Sequence, residues 1–183
     1  MLEHRTYSSD DELTTIEEDR GRVDQGERLE YTGIQLYTAP DYATASYVIH
    51  SNRTKFDLEV TVLKEIEMHD IFMNMKLKMK MVDEEIYHTV YNWKRIDVCK
   101  FLVSYGKEDT LFKYFLKSAI QNSTQLNCPF KIGTIHMRNF GMENNWMIST
   151  LPVGKYRFYL EVAHVSGEST KLITMQVSSI LMR

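Results

Sequence analysis

Two cysteines are the residues of this sequence best suited to covalent chemistry. Cys99 and Cys128 are its only cysteines. A bond between them would close a loop of about thirty residues and destabilise the unfolded chain by roughly 3 to 4 kcal/mol on the loop-entropy model. Two buried free thiols are the alternative. A nucleophilic Cys99 would need a base from elsewhere in the chain, and pairing with Cys128 would remove its thiolate. We expect a disulfide, because two glycosylation sequons in the chain indicate an oxidising compartment.

The other residue types that carry chemistry are not arranged for it. Six histidines are scattered along the chain, without the H-E-x-x-H spacing of a zinc protease. Neither G-x-G-x-x-G nor G-x-x-x-x-G-K-[ST] is present to hold a phosphate, and no serine lies in G-x-S-x-G. The sequence thus predicts a protein that is not an enzyme, with no catalytic residue, no bound metal and no cofactor.

The charge balance argues against partners that are recognised by charge alone. The formal net charge is −3, which gives no general attraction to nucleic acid or to acidic membranes. Lys76, Lys78 and Lys80 form a cluster, but the aromatic residues nearby are predicted to face inward, so nucleic-acid binding is not expected. The chain has no apolar run long enough to cross a bilayer, so we expect no membrane span.

Two glycosylation sequons indicate an oxidising compartment. Asn52-Arg53-Thr54 and Asn122-Ser123-Thr124 both fit N-x-[ST], and both fall at predicted element ends, where a sugar is tolerated. The first five residues are polar and do not form a secretory leader. We expect a secreted protein glycosylated at Asn52 and Asn122, with a leader that precedes the sequence as it stands.

The segment between the cysteines predicts an amphipathic helix of about fourteen residues. Asp109 or Thr110 can cap its first turn, where unpaired backbone amides need an acceptor. The apolar positions that follow the helical period are Leu111, Phe112, Phe115, Leu116 and Ala119. This aromatic stripe must lie on another apolar surface.

Period-two alternation predicts eight strands around this helix. The predicted strands cover residues 31–37, 45–50, 56–62, 71–81, 86–93, 156–163 and 173–178, with one more inside 131–140. The second and third form a hairpin, as do the last two. Eight strands with a helix between the fifth and sixth predict a mainly β fold, an antiparallel, immunoglobulin-like two-sheet β-sandwich with one inserted amphipathic α-helix.

The strand over residues 71–81 has the clearest alternation in the chain. Every second residue from Ile71 to Met81 is apolar, so this face is expected to be buried, while the intervening lysines are solvated and discourage edge-to-edge pairing. Methionine adapts to irregular space, which suits a pocket wall, although packing in a solid core explains the same residues. The hypothesised wall of a ligand cavity consists of Met73, Met75, Leu77, Met79, Phe112, Phe115 and Trp146.

The first 28 residues differ from the rest of the chain. They are rich in aspartate and glutamate, contain few apolar residues and show no sustained period. Such a segment cannot bury enough apolar surface to offset its ordering entropy. We expect an acidic, disordered tail over residues 1–28 and one β-sandwich domain over residues 29–183.

Four short elements follow one another in the second half of the chain. They are Asp97-Val98-Cys99-Lys100-Phe101-Leu102, the helix from Asp109, Asn127-Cys128-Pro129-Phe130, and Pro152-Val153-Gly154-Lys155-Tyr156. In this order and spacing they resemble a large insect family of secreted domains of unknown function. An N-terminal cysteine pair that is common in that family is missing here.

That family is similar to the ML lipid-recognition superfamily, which contains ganglioside-activator and sterol-transfer proteins. The resemblance implies a β-sandwich that encloses a hydrophobic ligand, an extracellular location, a structural disulfide and no catalytic residue. The sequence is therefore interpreted as a secreted, monomeric, non-catalytic protein that binds a lipid, sterol or pheromone-like molecule, in a chemosensory or lipid-handling role that could involve a receptor.

The alternative interpretation is a secreted protein-interaction domain with a filled core and no cavity. The two differ in what the space between the sheets contains. A cavity of roughly a few hundred cubic ångströms, lined by the hypothesised wall residues, would favour the ligand carrier. A closely packed interior would favour the interaction domain.

Overall fold

The computed structural model describes residues 28–66, 70–104, 128–141, 150–166 and 168–183. Their predominant structure is strand, so the predicted mainly β fold is confirmed. The elements are β1 (Arg28–Thr38), β2 (Ala43–Ile49), β3 (Phe56–Val62), β4 (Ile71–Met81), β5 (His88–Asp97), α1 (Val98–Ser104), β6 (Gly133–Phe140), β7 (Gly154–Ser166) and β8 (Glu168–Met182).

The strands form two antiparallel sheets. The larger has the order β1-β8-β7-β4-β5, and the smaller has the order β2-β3-β6. The predicted hairpins are both present, as β2 with β3 and β7 with β8. Strand β4 has a neighbour on each side, β7 and β5. The expectation that its lysines protect a sheet edge was therefore wrong, because β4 offers no edge.

The inner face of β4 supplies much of the core. Met75 lies between Leu160 on β7 and Trp93 on β5, and its side chain is only 1% exposed. Ile71, Met73 and Leu77 are buried in the same way. The alternation gives way at the end of the strand, where the side chain of Met81 is 44% exposed because it adjoins the turn into β5.

The facing side of the smaller sheet comes mainly from β3. Its alternate residues Phe56, Leu58, Val60 and Val62 are all buried. The ring of Phe56 is fully enclosed and contacts Tyr31, with centroids 5.1 Å apart. The apolar faces of the two sheets thus pack against each other, as expected for strands in which apolar and polar residues alternate.

Strand β5 continues beyond its predicted end at residue 93. The register between β4 and β5 shifts between Met73 and Met75, and Arg95 adopts a positive φ of 53°. This bulge restores inward orientation for Ile96, which pairs with Met73. A bulge inserts one residue out of phase, so simple alternation did not predict the extension.

The described helix is not the predicted one. Helix α1 starts directly after β5, and Asp97 caps it by accepting a hydrogen bond from the Lys100 amide at 2.9 Å. The helix predicted from Asp109 lies outside the described residues, as does the segment 1–27. Within the described ranges, no helix has the length and apolar character that a membrane span requires.

Candidate functional site

A cavity of about 160 Å³ lies between the two sheets and is partly open to the outside. Strands of both sheets and helix α1 contribute to its wall, and every lining side chain is apolar. The lining residues are Ala43, Leu58, Val60, Val62, Ile66, Ile71, Met73, Val98, Phe101, Leu102, Phe130, Ile135, Met137, Phe140, Phe158, Leu160, Val162, Leu172, Ile173 and Met175.

The larger sheet presents neighbouring side chains from three strands to the cavity. Val162 on β7 is paired with Met73 on β4 and with Ile173 on β8. Residues directly opposite in antiparallel strands share a face, so these three side chains point the same way. Val162 is only half-buried although it faces inward, as expected of a side chain that borders unfilled space.

Helix α1 contributes three side chains to the cavity wall. Val98, Phe101 and Leu102 are spaced at i, i+3 and i+4, which places them on one helical face, and all three line the cavity. The opposite face carries Lys100 and Val103, which are both exposed. The short helix is therefore amphipathic, with its apolar face toward the cavity.

A disulfide between Cys99 and Cys128 fixes this helix to the segment before β6, so the predicted bond is confirmed. The sulfurs are 2.06 Å apart and the Cα atoms 5.6 Å apart. Two residues beyond Cys128, Phe130 lines the cavity and forms an isolated bridge with Ile66. The bond therefore joins two chain segments that both contribute to the cavity wall.

The hypothesised wall residues differ in where the structure places them. Met73 lines the cavity, whereas Met75 and Leu77 are buried in the core and are not among its lining residues. Met79 is partly buried and packs against the core near Leu77. The remaining three, Phe112, Phe115 and Trp146, lie outside the described residues.

Most of the residues of the cavity wall were not predicted from the sequence. Phe158, Leu160 and Val162 of β7 all line the cavity, and they alternate along the strand with Tyr159 and Glu161. That alternation identified their inward face but not the cavity, because an inward side chain can equally border a packed core. The methionines of β4 were predicted from their alternation and their adaptability, and neither property shows where the two sheets leave space between them.

A second, polar cleft of about 150 Å³ lies on the outer face of the smaller sheet. Here the Asp57 carboxylate accepts hydrogen bonds from the Asn139 amide at 2.7 Å and from His50 at 3.0 Å. The Asn139 amide is the main reason that the pKa of Asp57 is lowered, with burial opposing and His50 and Arg138 assisting. Across the same face, Glu59 pairs with His136 at 3.0 Å.

These polar groups bind one another, so the cleft is a network of mutual pairs.

Over the described ranges, no group of three or more histidine, cysteine, aspartate or glutamate side chains is placed to hold a metal ion. That the protein is not an enzyme stays a prediction.

The first sequon lies in an exposed turn between β2 and β3. The side-chain oxygen of Asn52 accepts a hydrogen bond from the Thr54 amide at 3.2 Å, and Asn52 is exposed. A glycan there would meet solvent. The second sequon, at Asn122, lies outside the described residues.

Part of the chain is similar to a family of domains of unknown function. The sequence model described as "Protein of unknown function (DUF1091)" matches residues 73–158, a span that runs from β4 through both cysteines into β7. The match indicates that this part of the chain is similar to an uncharacterised domain family. No curated protein sequence matches the chain.

Proposed function

We propose that this domain is a secreted, non-catalytic carrier that holds a small hydrophobic molecule between its two sheets. The observation that carries the proposal is the cavity of about 160 Å³ with a wholly apolar wall. A β-sandwich in an uncharacterised domain family is consistent with such a binding role.

The chemistry of the wall defines the class of ligand. Because the lining side chains are all apolar, they offer no hydrogen-bond partner to a water molecule or to a polar group of a ligand. Apolar cavities of about 150 Å³ stay dry and accept benzene. The buried part of the ligand is therefore hydrocarbon.

The size of the cavity narrows the ligand further. At about 160 Å³ it is smaller than the cavity of a few hundred cubic ångströms that was named as the observation favouring a ligand carrier. It suits a single ring or a short aliphatic chain rather than an enclosed sterol. Because it is partly open, one end of a longer acyl chain could also enter, with its polar head outside. We therefore favour a small pheromone-like molecule or one acyl chain over a whole lipid.

The proposal includes secretion of the protein from the cell. Structural disulfides form and persist in oxidising compartments, so the Cys99–Cys128 bond is compatible with an extracellular protein. Asn52 lies in an exposed turn where a glycan is accommodated. The likeness to the ML superfamily and a role in chemosensing or lipid handling remain part of the proposal and rest on the resemblance of the sequence motifs.

The first test uses protein secreted from a eukaryotic host. Native mass spectrometry should detect a hydrophobic molecule that stays with the folded protein and is released on unfolding. Removal of glycans with a glycosidase should lower the mass if Asn52 or Asn122 is modified. Repeated recovery of the unliganded mass would favour the interaction domain with a filled core.

The second test places a benzene probe in the cavity. In protein labelled at the methionine methyl groups, benzene should shift the signals of Met73 and Met175, which both line the cavity. Val162→Phe fills part of that space and should abolish the shifts. Val48→Phe, at a position 65% exposed, is the matched control and should leave them unchanged. Equal shifts in both variants would contradict binding in this cavity.

A further inference from the structure

Five cations form a strip on the outer face of the larger sheet, opposite the face that borders the cavity. The basic strip consists of Lys76, Lys78 and Lys80 on β4 with Lys155 and Arg157 on β7. Lys80 is paired with Lys155, and Lys78 with Arg157, so all five side chains share one face. The strip concentrates positive charge on a chain whose net charge is −3.

The arrangement works against the stability of the sheet. Like charges directly opposite one another on neighbouring strands are destabilising, and the strip contains two such pairs in succession. None of the five cations forms a salt bridge with an acidic residue in the part of the chain that the structure describes. Glu161, farther along the same face, is already paired with Lys171 at 2.7 Å.

Aromatic rings hold two of these cations over the sheet. The Arg157 guanidinium lies 4.2 Å from the centre of the Tyr87 ring, and the Lys78 ammonium lies 5.7 Å from that of Tyr159. Cation–π contacts of this kind reduce the freedom of long side chains. The strip is therefore partly organised before any partner arrives.

The shape of the strip selects the kind of partner. Alternate residues of a strand are about 6.8 Å apart and neighbouring strands about 4.8 Å apart, so the five cations span a band roughly 14 Å long and 5 Å wide. Such a band matches one extended chain of negative groups. A flat anionic membrane would also meet Asp83 and Glu85, which are exposed in the turn beyond Lys80, and would be repelled there.

We propose that the basic strip binds a linear sulfated polysaccharide. Single-stranded nucleic acid is the other linear polyanion, but it relies on aromatic rings that are free to stack on bases, and both tyrosines are engaged with cations. Sulfate groups need only the cations, and clusters of lysine and arginine are the usual sites for heparin-like chains. This site is separate from the cavity and does not depend on a ligand there.

The test measures binding of the full chain to immobilised heparin by surface plasmon resonance at about 0.1 M salt. Lys80→Gln/Lys155→Gln removes one opposed pair of the strip. Lys100→Gln/Lys131→Gln removes the same charge from exposed positions elsewhere and is the matched control. Binding should weaken about tenfold in the first variant, little in the control, and further as salt rises.

The stability of the first variant separates binding from folding. Because it removes a like-charge pair, its unfolding midpoint in urea should equal or exceed that of the wild type. Absence of heparin binding by the wild type, or equal losses in the two variants, would overturn the proposal. So would tighter binding to oligodeoxythymidine or to phosphatidylserine vesicles than to heparin, or undiminished binding to desulfated heparin.

Discussion

Removal of the disulfide tests whether the bond holds helix α1 in place over the cavity. Cys99 is buried at the start of the helix, and Cys128 packs against the same core cluster as a partly buried residue. Cys99→Ala/Cys128→Ala deletes the bond without placing a polar group in the core. The variant should fold less stably and bind benzene more weakly.

The size of the stability loss follows from the length of the closed loop. The two cysteines are 29 residues apart in sequence, and the loop-entropy relation gives about 3.5 kcal/mol at 25 °C for a loop of that length. The free energy of unfolding of a domain is commonly only about 5 to 15 kcal/mol. The variant should therefore lose a large share of its stability while remaining folded under mild conditions.

Urea denaturation followed by tryptophan fluorescence provides the measurement. Wild-type protein under reducing conditions is the control, because it keeps both sulfurs and loses only the bond. If the loop constraint dominates, the reduced wild type and the double variant should lose similar amounts of stability. The slope of the unfolding free energy against urea should rise in both, since an uncrosslinked unfolded chain exposes more surface.

A small loss of stability in both samples would contradict a stabilising role for the closed loop. A decrease below about 1 kcal/mol would mean that the unfolded chain is already restricted without the bond. A large loss in the double variant alone would assign the effect to the buried sulfurs. Unchanged benzene binding in a folded reduced protein would show that α1 keeps its position without the bond.

Two further predictions concern the smaller sheet. Phe56→Ala should lower the free energy of unfolding by about 3 to 5 kcal/mol, because removal of a fully buried ring leaves a cavity. Val48→Ala in the same hairpin should change it by less than about 0.5 kcal/mol. Similar losses for the two variants in urea denaturation would contradict the assignment of Phe56 to the core. The lowered pKa of Asp57 stabilises the fold above the unfolded-state value of 3.8, and this contribution is lost as the pH falls through the folded-state pKa. The free energy of unfolding, measured from neutral to acidic pH, should therefore decline less steeply in Asp57→Asn than in the wild type. If the two proteins show the same dependence of unfolding free energy on pH, the role assigned to the Asn139 amide is contradicted.

The sequence predicted the local structure of the described strands well. Alternation over residues 71–81 identified β4 with its bounds and the burial of Met73 and Met75. It succeeded because side chains of a strand alternate between faces whatever the strand pairs with. It failed at β5, where the bulge at Arg95 shifts the phase by one residue.

The cysteine pair was predicted for a different reason. Two cysteines and two sequons together indicate an oxidising compartment, and with only two cysteines there is one possible intrachain bond. The structure brings the pair to bonding distance. What the sequence did not predict was helix α1 itself, whose apolar face is only Val98, Phe101 and Leu102, too short a pattern to establish a period.

Alternation along the chain is enough to predict which residues of each strand face inward, because successive side chains of a strand point to opposite faces. Whether the inward residues leave a cavity, and which of them border it, depends on how the two sheets pack together. Met73 borders it, whereas Met75, two residues along the same face, is enclosed by the core. The difference arises from the separation of the two sheets and the position of α1, which depend on contacts between residues far apart in sequence.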